Sequence, residues 1–419
     1  MSSLLSQHEE IARVVADGSV HGLLQPVADL ASGQVVAYEA LARGPAGTEL
    51  AAPLDMFRAA YAAGLSAPLD WACRLAALTA AEEAGLVAPL FVNVEPSALG
   101  AAGPARAEQA WDRHLRRGHV VVEITERSLA ADPAAILSEL PRLRQAGARI
   151  ALDDVGTHPE SLALLPFIEP DVIKLDRSVV QEPASTRMTD VIHAVAAESE
   201  RTGALVVAEG IETHDHLAAA IAMGATLGQG WLFGRPATAS AVARSALAPI
   251  DLEFRGAEAA AGGTPFDIVT HRRPVRRATK RLLLPMTRRL ESHAATSPHG
   301  AVVLTALQSA RNFSPGTVSR YAELARSATF VGALGVDVSG SPADGVRGAC
   351  VREDDPIVDE WTLTVVCPHF AAALVARDLG DDGADLDRRF DFAVTYDRAL
   401  VVDAGRNLMA RIAPRVELT

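Results

Sequence analysis

At 419 residues the chain is too long for one ordinary core and predicts two domains. Its 49% apolar and 22% charged residues are those of a globular protein, and a net charge of −13 argues against broad binding to polymeric nucleic acid.

Met1 to Glu10 lacks the basic-then-apolar layout of a signal peptide. From Leu23 onward, short β-prone runs alternate with longer Ala/Leu-rich patterns of helical period. The expected strands are Leu23–Val27, Val35–Leu41, Leu90–Val94, Val120–Ile124, Arg149–Asp153, Val172–Leu175, Leu205–Ala208 and Ala225–Leu227. Amphipathic helices are expected over Leu69–Ala84, Ala134–Gln145 and Thr189–Arg201, stopping at Gly85, Gly147 and Gly203. Such alternation implies a mainly parallel sheet closed into a TIM-like (β/α)8 barrel. The turn-like segment Asp29 to Gln34 between the first two strands is too short for a helical crossover, so that pair is expected to be antiparallel.

The most apolar stretch, Leu217 to Gly234, is broken by Thr226, Gln229 and several glycines, and fits a barrel segment better than a membrane span. An Ala/Gly-rich linker is expected at 251–264, dividing a barrel over 1–250 from a smaller C-terminal α/β (α+β) domain over 265–419. That domain has strands near Phe330–Leu334, Trp361–Val366 and Phe392–Thr395. Cys73, Cys350 and Cys367 form neither a metal-ligand spacing nor a disulfide framework. They suit a reducing compartment, and a cytoplasmic protein without a membrane span is the expectation.

The polar residues of the first domain sit where its strands end: Glu39, Asn93, Glu123, Asp153 with Asp154, Lys174, Glu209 and Gln229. A closed β/α barrel brings strand ends to one mouth, the usual place for its active site. Carboxylates crowded there repel one another unless cations lie between them, and hard oxygen donors without His or Cys point to Mg²⁺ or Mn²⁺. Adjacent aspartates suit a two-metal site. Lys174 stands out because only it and Lys280 are lysine among 39 basic residues. The plainer alternative for Lys174 is a salt bridge to Asp176 or Asp153. These residues alone leave two reaction classes open, phosphodiester hydrolysis and enolase-type proton abstraction.

Ordered motifs then narrow the choice. They are Leu24-Gln25-Pro26-Val27, Tyr38-Glu39-Ala40-Leu41-Ala42-Arg43, Phe91-Val92-Asn93-Val94, Glu123-Ile124-Thr125-Glu126 and Leu152-Asp153-Asp154. Ile173-Lys174-Leu175-Asp176, Ala208-Glu209-Gly210-Ile211-Glu212-Thr213 and Gly228-Gln229-Gly230-Trp231-Leu232-Phe233-Gly234-Arg235-Pro236 complete the series. Together they resemble the EAL domains, a family that cleaves cyclic-di-GMP to linear pGpG.

The resemblance implies metal ligation by Glu39, Asn93, Glu123, Asp153 and Asp154, and catalytic roles for Lys174 and Glu209. It implies dinucleotide contacts from Gln25, Arg43, Asp176 and Gln229, bracing by Glu126 and Glu212, and a homodimer formed through the barrel. The family follows its aspartate pair with Phe-Gly-Thr-Gly, an aromatic residue and two serines, whereas this chain has Val155-Gly156-Thr157-His158-Pro159-Glu160-Ser161. The rival expectation is therefore a silent cyclic-di-GMP receptor. His158 is expected to be a partly exposed loop residue.

The second half resembles the DICT sensory domain through Pro265-Phe266-Asp267, Arg320-Tyr321-Ala322-Glu323-Leu324-Ala325 and Arg389-Phe390-Asp391-Phe392-Ala393-Val394-Thr395-Tyr396-Asp397. The resemblance implies sensing of an unnamed signal. Eight Lys or Arg residues between His271 and Arg289 suggest a solvated helix face laid against the acidic barrel, and Asp381 to Asp387 a surface loop.

Overall fold

The computed structural model describes residues 2–182, 185–244 and 263–412. Two compact units emerge from its contacts. One contains residues 2–128, 139–157 and 170–244; the other contains 129–138, 158–169 and 263–412. Most of the expected linker, 251–262, lies outside the described residues, and Thr264 already serves as the N-cap of a helix.

Eight strands close the first unit into a barrel. They are β1 (His21–Asp29), β2 (Val35–Arg43), β3 (Leu90–Asn93), β4 (Val120–Thr125), β5 (Arg149–Val155), β6 (Val172–Leu175), β7 (Leu205–Ala208) and β8 (Leu227–Gln229). β1 runs antiparallel to both β2 and β8, and the remaining neighbours are parallel. The expected strand at Ala225–Leu227 begins two residues later, because Ala225 and Thr226 still belong to the turn after the preceding helix.

Helix α1 (Ser66–Ala84) ends on Gly85 at φ 64°, a left-handed conformation that glycine adopts without Cβ strain. Helix α2 (Pro133–Ala146), short helix α3 (Arg177–Gln181) and helix α4 (Thr186–Thr202) follow in chain order.

One apolar layer fills the barrel: Val27, Ala37, Phe91, Val121, Ala151, Val172, Val207 and Leu227 are all buried in a single cluster. Side chains alternate along a strand, so the next inward position lies two residues away. Those positions are Gln25 on the reversed β1, then Glu39, Asn93, Glu123, Asp153, Lys174, Glu209 and Gln229. The hydrophobic layer thus becomes the floor of a polar mouth.

The second unit is built on a seven-stranded sheet of order β12-β11-β10-β13-β14-β15-β9. Its strands are β9 (Arg276–Thr279), β10 (Val302–Ser309), β11 (Phe330–Val336), β12 (Arg347–Cys350), β13 (Glu360–Val366), β14 (Ala371–Asp378) and β15 (Arg389–Thr395). Helix α5 (Pro265–Thr270) begins with a capping box in which Thr264 and Asp267 satisfy each other's backbone N–H groups. Helices α6 (Lys280–Ala295) and α7 (Pro315–Leu324) precede the middle strands, and α8 (Arg398–Met409) closes the unit. Within the unit, Arg406 donates to the Phe167 and Pro166 carbonyls at 3.1 and 2.7 Å and pairs with Glu169 at 2.6 Å.

The basic run corrects one expectation. Arg276 to Thr279 form an edge strand rather than part of a helix. Arg273, Arg277, Lys280 and Arg281 pair with Asp397, Asp391, Asp385 and Asp387 of the same unit. The acidic 381–387 segment is a largely exposed loop with one short helical turn, and it supplies two of those partners.

Candidate active site

A cavity of about 530 Å³ opens at the mouth of the barrel. That volume suits a small-molecule ligand. Lys174 lies at the centre of the polar layer with its side chain 1% exposed. Its Nζ is 2.5 Å from Glu123 Oε1, 2.7 Å from Glu209 Oε1, 2.9 Å from Asp153 Oδ1 and 3.4 Å from Glu39 Oε2. Of the two partners expected for a salt bridge, Asp153 pairs with it. Asn93 Nδ2 donates to Glu39 and Glu123 at 3.1 and 2.8 Å, and Gln229 Nε2 donates to Glu39 at 2.7 Å.

Asp154 joins this group by a different route. The β5–β6 register slips between Leu152 and Val155, and Asp154 adopts φ 58°. A non-glycine residue in this region is strained, and a bulge re-aims the side chains beside it. Consequently Asp153, Asp154 and Glu209 bring carboxylate oxygens within 4.8 Å of one another. Gly156 follows at φ 108°, where an added Cβ would lie 2.4 Å from Val179 Cγ2. The Gly156 N–H and the Thr157 hydroxyl both donate to Glu126 Oε2, at 3.1 and 3.2 Å.

Electrostatics favour a cationic occupant. Burial, reinforced by Glu39, holds the Glu123 carboxyl well above its ordinary range. Burial likewise lifts Glu209 to about 8, and Asp154, beside Asp153 and Asp176, to about 6. Burial opposes the Lys174 ammonium, yet Asp153, Glu123, Glu209 and Glu39 together hold its pKa well above the usual lysine value. Four carboxylates around one ammonium, with Asp154 beside them, leave excess negative charge that a divalent cation would offset. The donors are all hard oxygens, matching Mg²⁺ or Mn²⁺. Glu123 Oε1 and Asp153 Oδ1 are buried without a well-aligned hydrogen bond despite their proximity to Lys174, and Gln229 Oε1 has no partner. The residues fit the metal the sequence implies.

Gln25, Arg43, Glu209, Glu212 and Gln229 also line the cavity. Gln25 Nε2 donates to the Gly234 carbonyl at 3.3 Å, and Arg43 Nη1 to the Ala42 carbonyl at 2.8 Å. Asp176 is placed differently: it does not line the cavity, and its carboxylate caps α3 by accepting from Ser178 N at 2.8 Å and Ser178 Oγ at 2.5 Å. His158 is partly exposed, as expected, with Nδ1 3.2 Å from Glu160.

Sequence reasoning missed Asp70, Glu95, Arg177 and Trp231, all of which line the cavity. Asp70 forms a buried ion pair with Arg74 and accepts from Glu95 N at 2.7 Å. Arg74 lies over the Trp71 and Trp111 rings, 4.5 and 5.2 Å from their centroids. Trp231 is 53% exposed, and the Arg235 guanidinium lies 3.9 Å from its ring centroid. The GQGWLFGRP motif contained the signal for Trp231, since an exposed tryptophan beside glycines offers an aromatic face to a ligand.

A family model described as "EAL domain" matches residues 8–236, more than half of the chain. The chain belongs to the EAL family. A second model, described as "Sensory domain in DIguanylate Cyclases and Two-component system", matches residues 268–379, placing a DICT domain after the EAL barrel.

Among relatives of the EAL barrel is the cyclic di-GMP phosphodiesterase RocR of Pseudomonas aeruginosa, 38% identical over 150 residues, which are 35% of this chain and 38% of RocR. NbdA, a cyclic di-GMP phosphodiesterase of the same organism, is 34% identical over 245 residues, 55% of this chain and 31% of NbdA. The chain spans between 28% and 38% of the length of such curated relatives. The solved PaMucR phosphodiesterase in complex with c-di-GMP is 25% identical with a TM-score of 0.50, covering 57% of this chain and 99% of that one. The EAL enzyme Bd1971, at 20% identity and a TM-score of 0.50, shares the fold over 58% of this chain and 69% of its own. Among the described residues, no helix is long and apolar enough to cross a membrane.

Proposed function

We propose that the EAL barrel hydrolyses cyclic-di-GMP to linear pGpG in a reaction that requires Mg²⁺ or Mn²⁺. The observation that carries this reading is the convergence of Glu39, Glu123, Asp153 and Glu209 on Lys174, with Asp154 beside Asp153 and Glu209, at the mouth of a closed barrel. RocR, NbdA and PaMucR, which resemble this barrel, carry phosphodiesterase names.

Asp153, Asp154, Glu209, Glu39, Glu123 and Asn93 would hold the divalent ions, which supply charge neutralisation and acidify water when bound. Glu209 belongs with this set because its oxygen lies near those of both aspartates. Lys174 directs its ammonium at the negative charge that develops on the phosphoryl oxygens as water attacks phosphorus and the 3′ oxygen leaves. Gln229 fixes Glu39 through its amide, and Glu126 braces the turn after Asp154. Arg43 and Arg177, both on the cavity wall, suit the dinucleotide phosphates, and the exposed face of Trp231 suits a guanine ring.

The reading extends to a cytoplasmic homodimer whose turnover responds to the C-terminal domain. Three free cysteines suit that compartment, and sedimentation tests the dimer. Hydrolysis is tested by incubating the purified chain with cyclic-di-GMP and either metal, then resolving products by chromatography. Appearance of pGpG with wild type and its absence with Glu39→Ala supports the enzyme. Tight binding without pGpG under both metals replaces it with the silent receptor.

A further inference from the structure

The second lysine of the chain is unused by the barrel. Lys280 is the first residue of α6, where the positive end of the helix disfavours a cation. Its side chain is nonetheless only 16% exposed and lines a cavity of about 70 Å³ within the second unit. That volume holds a few waters, or part of a small single-ring molecule whose remainder stays in the cavity mouth.

The cavity lies between α6, α7 and the sheet. Its walls are aromatic and aliphatic: Trp361 and Phe390, whose rings meet edge to face at 5.8 Å, with Tyr321, Leu307 and Leu363. Such surfaces bind the face or edge of a planar ring. One buried carboxylate, Glu291, is already committed to Arg320 Nε at 2.6 Å. The lining charges are Lys280 and Arg320 against Glu291, a positive balance in a chain whose net charge is −13.

Gln308 adds an independent feature. The β10–β11 register slips between Ala306 and Ser309, and Gln308 sits inside that slip at φ 64°, lining the same cavity. Bulges of this kind re-aim side chains next to binding sites. Among the described residues the Lys280 ammonium pairs with Asp385, at 2.7 and 2.8 Å, and that carboxylate is 61% exposed. Ion pairs with so much solvent contact contribute little and are readily exchanged.

We propose that this cavity binds a small aromatic carboxylate, whose ring packs against Trp361, Phe390 and Tyr321 and whose carboxylate takes Lys280 Nζ from Asp385. The site is separate from the barrel mouth and does not depend on the phosphodiesterase reading. Binding frees the Asp385 segment, whose other anchors are Arg281–Asp387 and Arg388–Asp385.

Calorimetric titration of the full chain with benzoate tests this, with benzylamine and cyclohexanecarboxylate as comparison probes. Benzoate binds saturably, cyclohexanecarboxylate more weakly, and benzylamine not at all. Lys280→Met weakens benzoate about tenfold or more, the size of a lost charge-assisted bond. Asp385→Asn tightens it by removing the competitor, and this exposed substitution leaves folding intact. Trp361→Leu weakens it while preserving the preference for an anion. No saturable benzoate binding at millimolar concentration overturns the proposal. So does equal affinity in wild type and a folded Lys280→Met protein, or benzylamine binding as well as benzoate.

Discussion

Lys174 Nζ and Glu123 Oε1 lie 2.5 Å apart, and both side chains are essentially sealed from solvent. The lysine is the sole cation within a group of carboxylates, so its removal leaves buried negative charge without a counter-ion. Lys174→Met is expected to lower stability by about 3–5 kcal/mol without metal. It should lower turnover by about 10²–10³, the usual cost of losing a donor aimed at developing charge. Melting with and without Mn²⁺, beside a product assay, separates the effects: metal restores the melting temperature but not the rate.

Metal binding should strengthen as pH rises. Folded Glu209 titrates near 8 and Asp154 near 6, both above their unfolded values. The folded metal-free protein therefore holds protons that the unfolded chain has released, and its stability falls as pH climbs from about 4 to about 8. A cation displaces those protons, so the melting shift produced by Mg²⁺ is larger near pH 8 than near pH 5.5. Thermal melts across that range check it; a shift independent of pH contradicts the assignment.

Glu126 accepts from both Gly156 N and Thr157 Oγ1 directly after the aspartate pair. Glu126→Ala strips both donors of their acceptor and loosens the strained turn that aims Asp154. Metal affinity is expected to fall about 10–100-fold, the range for groups that orient metal ligands. Titration with Mn²⁺ reads this directly, and an unchanged affinity would remove Glu126 from the account.

The buried pair of Asp70 with Arg74 supports the cavity wall from α1. Burial raises the Asp70 pKa and lowers that of Arg74, so each depends on the other to remain charged. Arg74→Met leaves a lone buried carboxyl and removes a cation from the Trp71 and Trp111 faces, for an expected loss of about 3–5 kcal/mol. Denaturant unfolding measures it. A double variant with Asp70→Leu should recover much of the loss, because no unpaired buried charge then remains.

The barrel was legible because its signals are local. On seven of its strands a polar residue, within the strand or just past it, stands two positions beyond an apolar one, from Ala37 and Glu39 to Leu227 and Gln229. The short Asp29–Gln34 connection likewise announced the antiparallel start. Asp154 was found through its motif, but its inward aim depends on a left-handed φ and a register slip that no spacing reveals. Asp70 and Arg177 reach the cavity from helices, where periodicity marks them only as polar positions. In the second unit, β9 carries Arg276 and Arg277 on an exposed edge and so reads as a charged helix face. Its strand character comes from antiparallel pairing with the distant β15, Arg276 opposite Phe392 and Thr279 opposite Arg389.

The most direct test is hydrolysis of cyclic-di-GMP in ¹⁸O-labelled water with Mn²⁺, the linear product being weighed by mass spectrometry. The account predicts pGpG carrying one ¹⁸O in its new terminal phosphate, formed only with a divalent metal and lost in Glu39→Ala. Recovery of the cyclic dinucleotide intact and unlabelled, under either metal, would contradict it.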